Sequence, residues 1–274
     1  MKDNKEKILA ILIIATLIFS LFTIYAYSAQ KYEIKVSAKA AALYNTENGS
    51  FLFTKNENER LSMASTTKIM TAIVTIENLD LDRIVAVDDR AIGIEGSSIY
   101  LKQGEEISVR ALLYALMLRS ANDAAAALAY EISGSTEDFA LLMNEKAAEL
   151  GLSDTNFENP HGLDSENHYT TAHDLAIISA YAMSNQTFRE IVCSRKALIE
   201  SSVEKRMLIN HNKMLSYYDG CIGIKTGYTK KSGRSLASAA ERDGATLICI
   251  TINAPDDWND HKKLFDYGFS QIHA

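Results

Sequence analysis

Strand-like runs stand at both ends of this chain and enclose a long helical middle, and that order restricts the fold more than any other feature. Near the start, AAALYNTENGSFLFTKN (residues 40–56) reads as two β-runs joined by an Asn48-Gly49 turn. Near the end, CIGIKTGYT, RSLASAA and ATLICITINA are strand-like, with Arg242-Asp243-Gly244 as a hairpin turn between the last two. Between these ends, Ser65 to Glu77 predicts a helix with a Ser/Thr-rich start, and residues 80–107 predict short strands and loops. VRALLYALMLRS and DAAAALAYEIS form two helical stretches hinged at Ser120-Ala121-Asn122. A further helix is expected over Thr136–Leu150, capped by Gly151, and another over 171–183. Residues 256–272 read as a closing amphipathic helix. Such an arrangement predicts an α+β fold: an antiparallel β-sheet built from both termini, flanked by helices, with a mostly helical subdomain.

The 274 residues contain only Pro160 and Pro255, and no Pro-rich or Gly/Ser-rich linker divides them. One globular domain over 30–274 is the expectation, preceded by a separate segment over 1–29. Residues 8–25 (ILAILIIATLIFSLFTIY) carry no charge and follow a lysine-bearing stretch, the pattern of a signal peptide or membrane anchor. An extracytoplasmic protein, membrane-associated or secreted, is therefore expected, and Ala26-Tyr27-Ser28 matches a cleavage site only loosely. Lys2, Lys5 and Lys7 against Asp3 and Glu6 leave the first 29 residues at +1 and the remainder at −8. That acidic remainder argues against nucleic acid as a partner. Cys193, Cys221 and Cys249 are odd in number and form no C-x-x-C, and Cys221 and Cys249 are expected as buried free thiols.

Ser65-Thr66-Thr67-Lys68 places a hydroxyl and an amine three residues apart at a helix start, where they share a face. A serine needs a base to become a nucleophile, and a lysine serves only when its pKa is lowered. The pattern alone is common and also fits a capped helix with an exposed lysine. Two later elements change its meaning: Ser120-Ala121-Asn122 at the break between two apolar helices, and Lys225-Thr226-Gly227 in a strand-like run.

In that order, S-x-x-K, S-x-N and K-T-G resemble the signature of the penicillin-binding proteins and serine β-lactamases. ENPHGLDSENHYTTAHDLA (158–176) and GIKTGYTKKSGRSLASA (223–239) further resemble the low-molecular-mass D-alanyl-D-alanine carboxypeptidases, a likeness running over roughly residues 36–272. The resemblance implies a fold like that of β-lactamases and penicillin-binding-protein transpeptidases, with Ser65 as the acylated nucleophile, Lys68 as its base and Ser120 as a proton relay. It implies that Asn122 binds the substrate backbone and that Lys225 and Thr226 receive the terminal carboxylate. Gly227 would let the substrate lie close, and the N–H groups of Ser65 and Tyr228 would form the oxyanion hole. The expected partners are stem peptides of peptidoglycan ending in D-Ala-D-Ala, with β-lactams as covalent inhibitors and the membrane reached through the N-terminal segment. No cofactor is implied. A carboxylate-binding arginine that some relatives place on a later strand has no evident counterpart: ATLICIT offers Thr246, and Arg234 or Arg242 are the substitutes. A C-terminal β-domain and amphipathic membrane helix, present in many relatives, are not expected after Ala274.

No metal site is expected: there is no H-E-x-x-H, and His168 and His173 lie about 140° apart around a helix. His161 is read as structural and Trp258 as a packing residue. A class A β-lactamase, a D,D-endopeptidase and a non-catalytic β-lactam sensor are the competing readings. Against the first, no glutamate between Glu131 and Glu166 is followed four residues later by asparagine. Against the last, a sensor has no need to keep Ser65, Lys68 and Ser120 together.

Overall fold

The computed structural model describes residues 12–20 and 34–272, and the chain divides into two units, Met1–Lys35 and Val36–Ala274. In the first, residues 12–20 are helical (α1), with Leu12, Ile14 and Phe19 exposed. The rest of the apolar run 8–25 lies outside the described residues. Among the described residues, no helix is long and apolar enough to cross a membrane.

The second unit is built on a five-stranded sheet of order β2-β1-β9-β8-β7, antiparallel throughout. Its strands are β1 (Ala40–Asn45), β2 (Ser50–Lys55), β7 (Cys221–Thr229), β8 (Gly233–Arg242) and β9 (Ala245–Ile252). The first hairpin closes through Gly49 at φ +69°, a left-handed conformation that glycine adopts without steric cost. The final helix α9 (Asp257–Ile272) lies against this sheet. Gly268 allows the close approach, since a β-carbon there would sit 2.6 Å from Leu43 and 2.7 Å from Leu247. Asp260 accepts hydrogen bonds from the amides of Ser37 (2.9 Å) and Ala38 (3.0 Å), which fixes α9 to the entry of β1.

The helical part comprises α2 (Lys68–Asn78), α3 (Val109–Leu118), α4 (Asn122–Ser133), α5 (Thr136–Glu149), α6 (Ala172–Ser184) and α7 (Gln186–Cys193). Side-chain caps start four of them: Ser108 on α3, Ser135 on α5, Thr171 on α6 and Asn185 on α7. The alanines 124–127 of α4 are buried and small enough for neighbouring helices to pack closely. Two-stranded pieces complete the unit: β3 (Ile84–Ala86) with β4 (Glu106–Ser108), and the hairpin β5 (Lys196–Glu200) with β6 (Lys205–Ile209). The short helix α8 (Met214–Tyr217) leads into β7.

The α+β architecture expected from the sequence is the observed one. Of the cysteines, all three are free, but only Cys249 is fully buried. Cys221 is half-buried because it stands at the first position of β7, beside a bulge that breaks the register between Cys221 and Gly223.

Candidate active site

The S-x-x-K segment does not begin as an α-helix. Ala64–Thr67 form a 3₁₀ turn and α2 starts at Lys68. At three residues per turn, positions i and i+3 eclipse, so Lys68 lies directly over Ser65. Ala64 enters the turn at φ +47°, a conformation unusual for alanine. The loop at 158–168 supports it from behind. Thr67 Oγ1 donates to the Ala64 carbonyl (2.8 Å), and Gly162 packs so near that carbonyl that a β-carbon would overlap it. The Glu158 amide donates to His168 Nδ1 (3.0 Å), which leaves Nε2 carrying the proton toward Thr67 Oγ1 at 2.7 Å.

Lys68 and Lys225 are among the largest fully buried side chains of the protein. Lysine is almost never buried without a partner or a purpose. Lys68 Nζ lies 3.1 Å from Ser65 Oγ and 2.7 Å from Asn122 Oδ1, and it also meets the His161 carbonyl oxygen. Two of these three neighbours are oxygens that can only accept. A neutral amine has two N–H groups and one lone pair, so both N–H groups go to Asn122 and His161. The lone pair is left facing Ser65.

The electrostatics favour that neutral state. Burial pushes the Lys68 pKa well below the usual lysine value, the Lys225 charge pushes it further down, and Asp123 opposes them. Burial alone brings Lys225 down to about 7.

Ser120 sits at the corner between α3 and α4 at φ +61°, and the sharp turn presents its side chain to the cleft. Asn122 opens α4, and both ends of its amide are engaged: Oδ1 by Lys68 and Nδ2 by the Glu95 carbonyl at 2.5 Å. Its neighbour Asp123 accepts hydrogen bonds from Ser98 Oγ (2.6 Å) and the Leu101 amide (3.1 Å), holding the loop that carries Ser97.

The K-T-G residues lie on β7, an edge strand of the sheet. Gly227 faces the protein as well as the cleft. A β-carbon there would stand 3.1 Å from the Ser65 nitrogen and 3.2 Å from Ala64 Cβ, so this glycine lets β7 approach the turn that carries Ser65. The expected reason for it, room for substrate, is joined by this one. Tyr228 follows, 67% exposed.

These parts line one cleft of about 320 Å³, bounded by Ser65, Ser97, Ser120, His211, Thr226 and Tyr228, and closed at one end by Arg234, Asp257 and Trp258. That end corrects the sequence reading of Trp258, which lines the cleft rather than only packing. Arg234 stands opposite Tyr228 in the β7–β8 register. Its Nε donates to Asp257 Oδ1 at 3.1 Å, and its guanidinium lies 5.8 Å from the Trp258 ring centre. Arg242 is elsewhere, stacked 4.7 Å from Tyr218 and 5.0 Å from Phe269. Thr246 pairs with Glu241, well away from the β8 residues facing Lys225 and Thr226. Neither the Arg234–Asp257 pair nor the His161 carbonyl stands out in the sequence. Backbone acceptors leave no residue-type signal, and Asp257 is one of several acids before α9. Among the described residues, no cluster of three potential metal ligands exists.

The family model of the D-alanyl-D-alanine carboxypeptidases matches residues 26–256. The chain is 37% identical over 248 residues to the D-alanyl-D-alanine carboxypeptidase DacF of Bacillus subtilis, covering 87% of this chain and 64% of that protein. It therefore spans under two thirds of that relative's length. It is 34% identical to DacB2 of Mycobacterium tuberculosis, covering 82% of this chain and 79% of the relative. Among solved structures, the Streptomyces K15 DD-transpeptidase superposes with a TM-score of 0.82 at 36% identity, covering 86% of this chain and 98% of that one. Matched along most of its length in sequence and in fold, and with the three motifs gathered around one cleft, this chain belongs to the D-alanyl-D-alanine carboxypeptidase family.

Proposed function

We infer that the protein is a serine carboxypeptidase that removes the terminal D-alanine from peptidoglycan stem peptides ending in D-Ala-D-Ala. The observation carrying this reading is the coordination of Lys68, which leaves only Ser65 for its lone pair. Neutral Lys68 takes the Ser65 hydroxyl proton as Oγ attacks the carbonyl carbon of the penultimate D-alanine. The N–H groups of Ser65 and Tyr228 receive the oxyanion. As the C–N bond breaks, the proton taken up by Lys68 is relayed through the Ser120 hydroxyl to the departing amine of the terminal D-alanine, which leaves Lys68 neutral and Ser120 unchanged. Water then attacks the ester, Lys68 accepts its proton and returns it to Ser65 Oγ as the C–O bond breaks, and the shortened peptide leaves. Asn122 positions Lys68 through Oδ1, and its substrate contact needs the Glu95 hydrogen bond to open.

A free C-terminal carboxylate is the feature this cleft is equipped to recognise. Thr226 lines the cleft and Arg234 stands at its end, with Asp257 fixing the guanidinium plane, while Lys225, buried beside Thr226, adds positive charge behind that wall. β-Lactams enter by the same attack: Ser65 opens the lactam ring and remains esterified.

The wall substrate lies outside the cytoplasmic membrane, so the catalytic unit acts there, with residues 8–25 as an uncleaved anchor. Eighteen apolar residues at about 1.5 Å each cover about 27 Å, close to the hydrocarbon thickness of a bilayer. Two experiments test these points. Incubation with a D-Ala-D-Ala pentapeptide is expected to release D-alanine and tetrapeptide, and Ser65→Ala is expected to release neither. N-terminal sequencing of the mature protein is expected to recover the Lys2 region from the membrane fraction, and a chain beginning near Ala29 or Gln30 overturns the anchor.

A further inference from the structure

One face of the catalytic unit differs from the rest of its surface. The hairpin β5–β6 buries Ile199 and Leu208 on its inner side and turns the alternate side chains outward. Outward pairs across the two strands are Lys196 with Ile209, Leu198 with Met207, and Glu200 with Lys205. Leu198, Met207 and Ile209 are 60%, 58% and 61% exposed. Ile209 also opens onto a hollow of about 340 Å³ shared with Arg195, Lys213 and the exposed ring of Tyr217. A continuous apolar strip results, rimmed by four cations.

Two of those cations are engaged and two are not. Lys205 pairs with Glu200 at 3.1 Å, and Arg195 donates to the Leu215 carbonyl at 2.6 Å. Among the described residues, Lys196 and Lys213 have no carboxylate within ion-pair distance. On a protein of net charge −7, this positive rim is a local feature.

Aliphatic tips standing out of a short hairpin, a tyrosine beside them and lysines around them fit the boundary of a lipid bilayer. The tips enter the acyl edge, the tyrosine sits at headgroup depth, and the lysines meet phosphates. Protein interfaces, by contrast, are depleted in lysine. We propose that the outer face of β5–β6, with Arg195, Lys213 and Tyr217, docks on an anionic phospholipid surface. Proximity is supplied by the reading of residues 8–25 as an anchor, on which the proposal rests to that extent: residues 26–35 extend at most about 35 Å. At that tether length a weak patch suffices. His211 lines the catalytic cleft while Asn210 and Asn212 line the hollow, so docking sets the orientation of the cleft against the bilayer.

The test uses the full chain with vesicles of phosphatidylglycerol and phosphatidylcholine, or of phosphatidylcholine alone, read by flotation and by amide hydrogen exchange. On the anionic vesicles, amides of residues 196–209 and 213–217 are expected to exchange about tenfold or more slowly than on the neutral ones. Leu198→Ser/Met207→Ser/Ile209→Ser and Lys196→Glu/Lys213→Glu are expected to abolish that difference while labelling with fluorescent penicillin as the wild type does. Flotation with both vesicle types and an unprotected hairpin overturns docking and leaves the anchor standing. Flotation only with anionic vesicles and a protected hairpin supports docking and overturns the anchor. Flotation with neither overturns both, and equal protection on both vesicle types overturns the proposal in favour of a second copy of the chain on this face.

Discussion

Gly227 lies so close to Ser65 that a β-carbon at position 227 would stand 3.1 Å from the Ser65 backbone nitrogen. The strand that carries Lys225 and Thr226 and the turn that carries Ser65 are thus in direct contact. Gly227→Ala has to push them apart by a few tenths of an ångström. Because small misplacements of reacting groups are costly, penicillin acylation is expected to slow by roughly 10- to 100-fold with the fold retained. Stopped-flow acylation with a fluorescent penicillin measures this, and an unchanged rate means the turn adapts freely.

Lys225 adds a buried charge close to Lys68. Its positive charge disfavours protonation of Lys68, so removing it raises the Lys68 pKa. Lys68 acts as a base only when neutral, so the acid limb of kcat/KM moves to higher pH in Lys225→Ala and stays in place in Lys225→Arg. Lys225 itself, held down to about 7 by burial, loses its proton as pH rises, which gives the free enzyme a falling limb on the alkaline side. A pH profile of pentapeptide hydrolysis for the three proteins checks the signs; an acid limb that moves down in Lys225→Ala contradicts the account.

Arg234 is held by Asp257 at the end of the cleft. Hydrogen bonds to a charged group contribute about 1.5–3 kcal/mol, so Arg234→Ala is expected to raise KM for free-carboxylate peptides roughly 10- to 150-fold. Peptides amidated at the C-terminus should be nearly indifferent to the change. Arg242→Ala, which alters a residue stacked on Tyr218 and Phe269, is the control and should leave both substrates unaffected. Equal losses on both peptides for Arg234→Ala would remove Arg234 from carboxylate recognition.

Much of this was legible because the relevant signals are local. The Asn48-Gly49 turn, the Ser/Thr-rich helix start at Ser65 and the strand-like runs of β7 to β9 are each written in a few adjacent residues. The three motifs are legible for the same reason: each lies within one short element. Residues 184–220 yielded no reading, and they hold α7, the β5–β6 hairpin and α8. That hairpin has aliphatic residues on both faces, so it lacks the polar alternation that marks a surface strand. The grip of the 158–168 loop on Lys68 was also hidden, because the His161 carbonyl oxygen does it, and every residue has such an oxygen. Arg234 and Trp258 come together only because β8 and α9 meet at the end of the sheet.

Glu105 and Arg206 tie the β5–β6 hairpin to the loop preceding β4, with Nη1 and Nη2 at 2.5 and 3.0 Å from the carboxylate oxygens. The Glu105 side chain is fully buried and that of Arg206 is 10% exposed. Burial raises the Glu105 pKa, but hydrogen bonds led by Arg206 outweigh it, and the net shift is downward. Removing Glu105 leaves the nearly buried Arg206 with only the half-exposed Glu204 as a carboxylate partner, at 3.0 Å. Glu105→Ala is expected to cost about 3–5 kcal/mol, lowering Tm by on the order of 10 °C. Thermal melts test this, with Glu105→Met/Arg206→Met expected to recover most of the loss; a single-variant Tm within 2–3 °C of wild type, about 1 kcal/mol, contradicts it.

The central claim is that Lys68, held by Asn122 and the His161 carbonyl, offers its lone pair to Ser65. Time-resolved intact mass with benzylpenicillin, followed by peptide mapping, tests it most directly. The wild type is expected to gain one penicilloyl group on Ser65, Ser65→Ala none, and Lys68→Ala the same adduct about 10²–10⁴-fold more slowly. An adduct in Ser65→Ala, or a Lys68→Ala rate within a few-fold of wild type, would contradict the account.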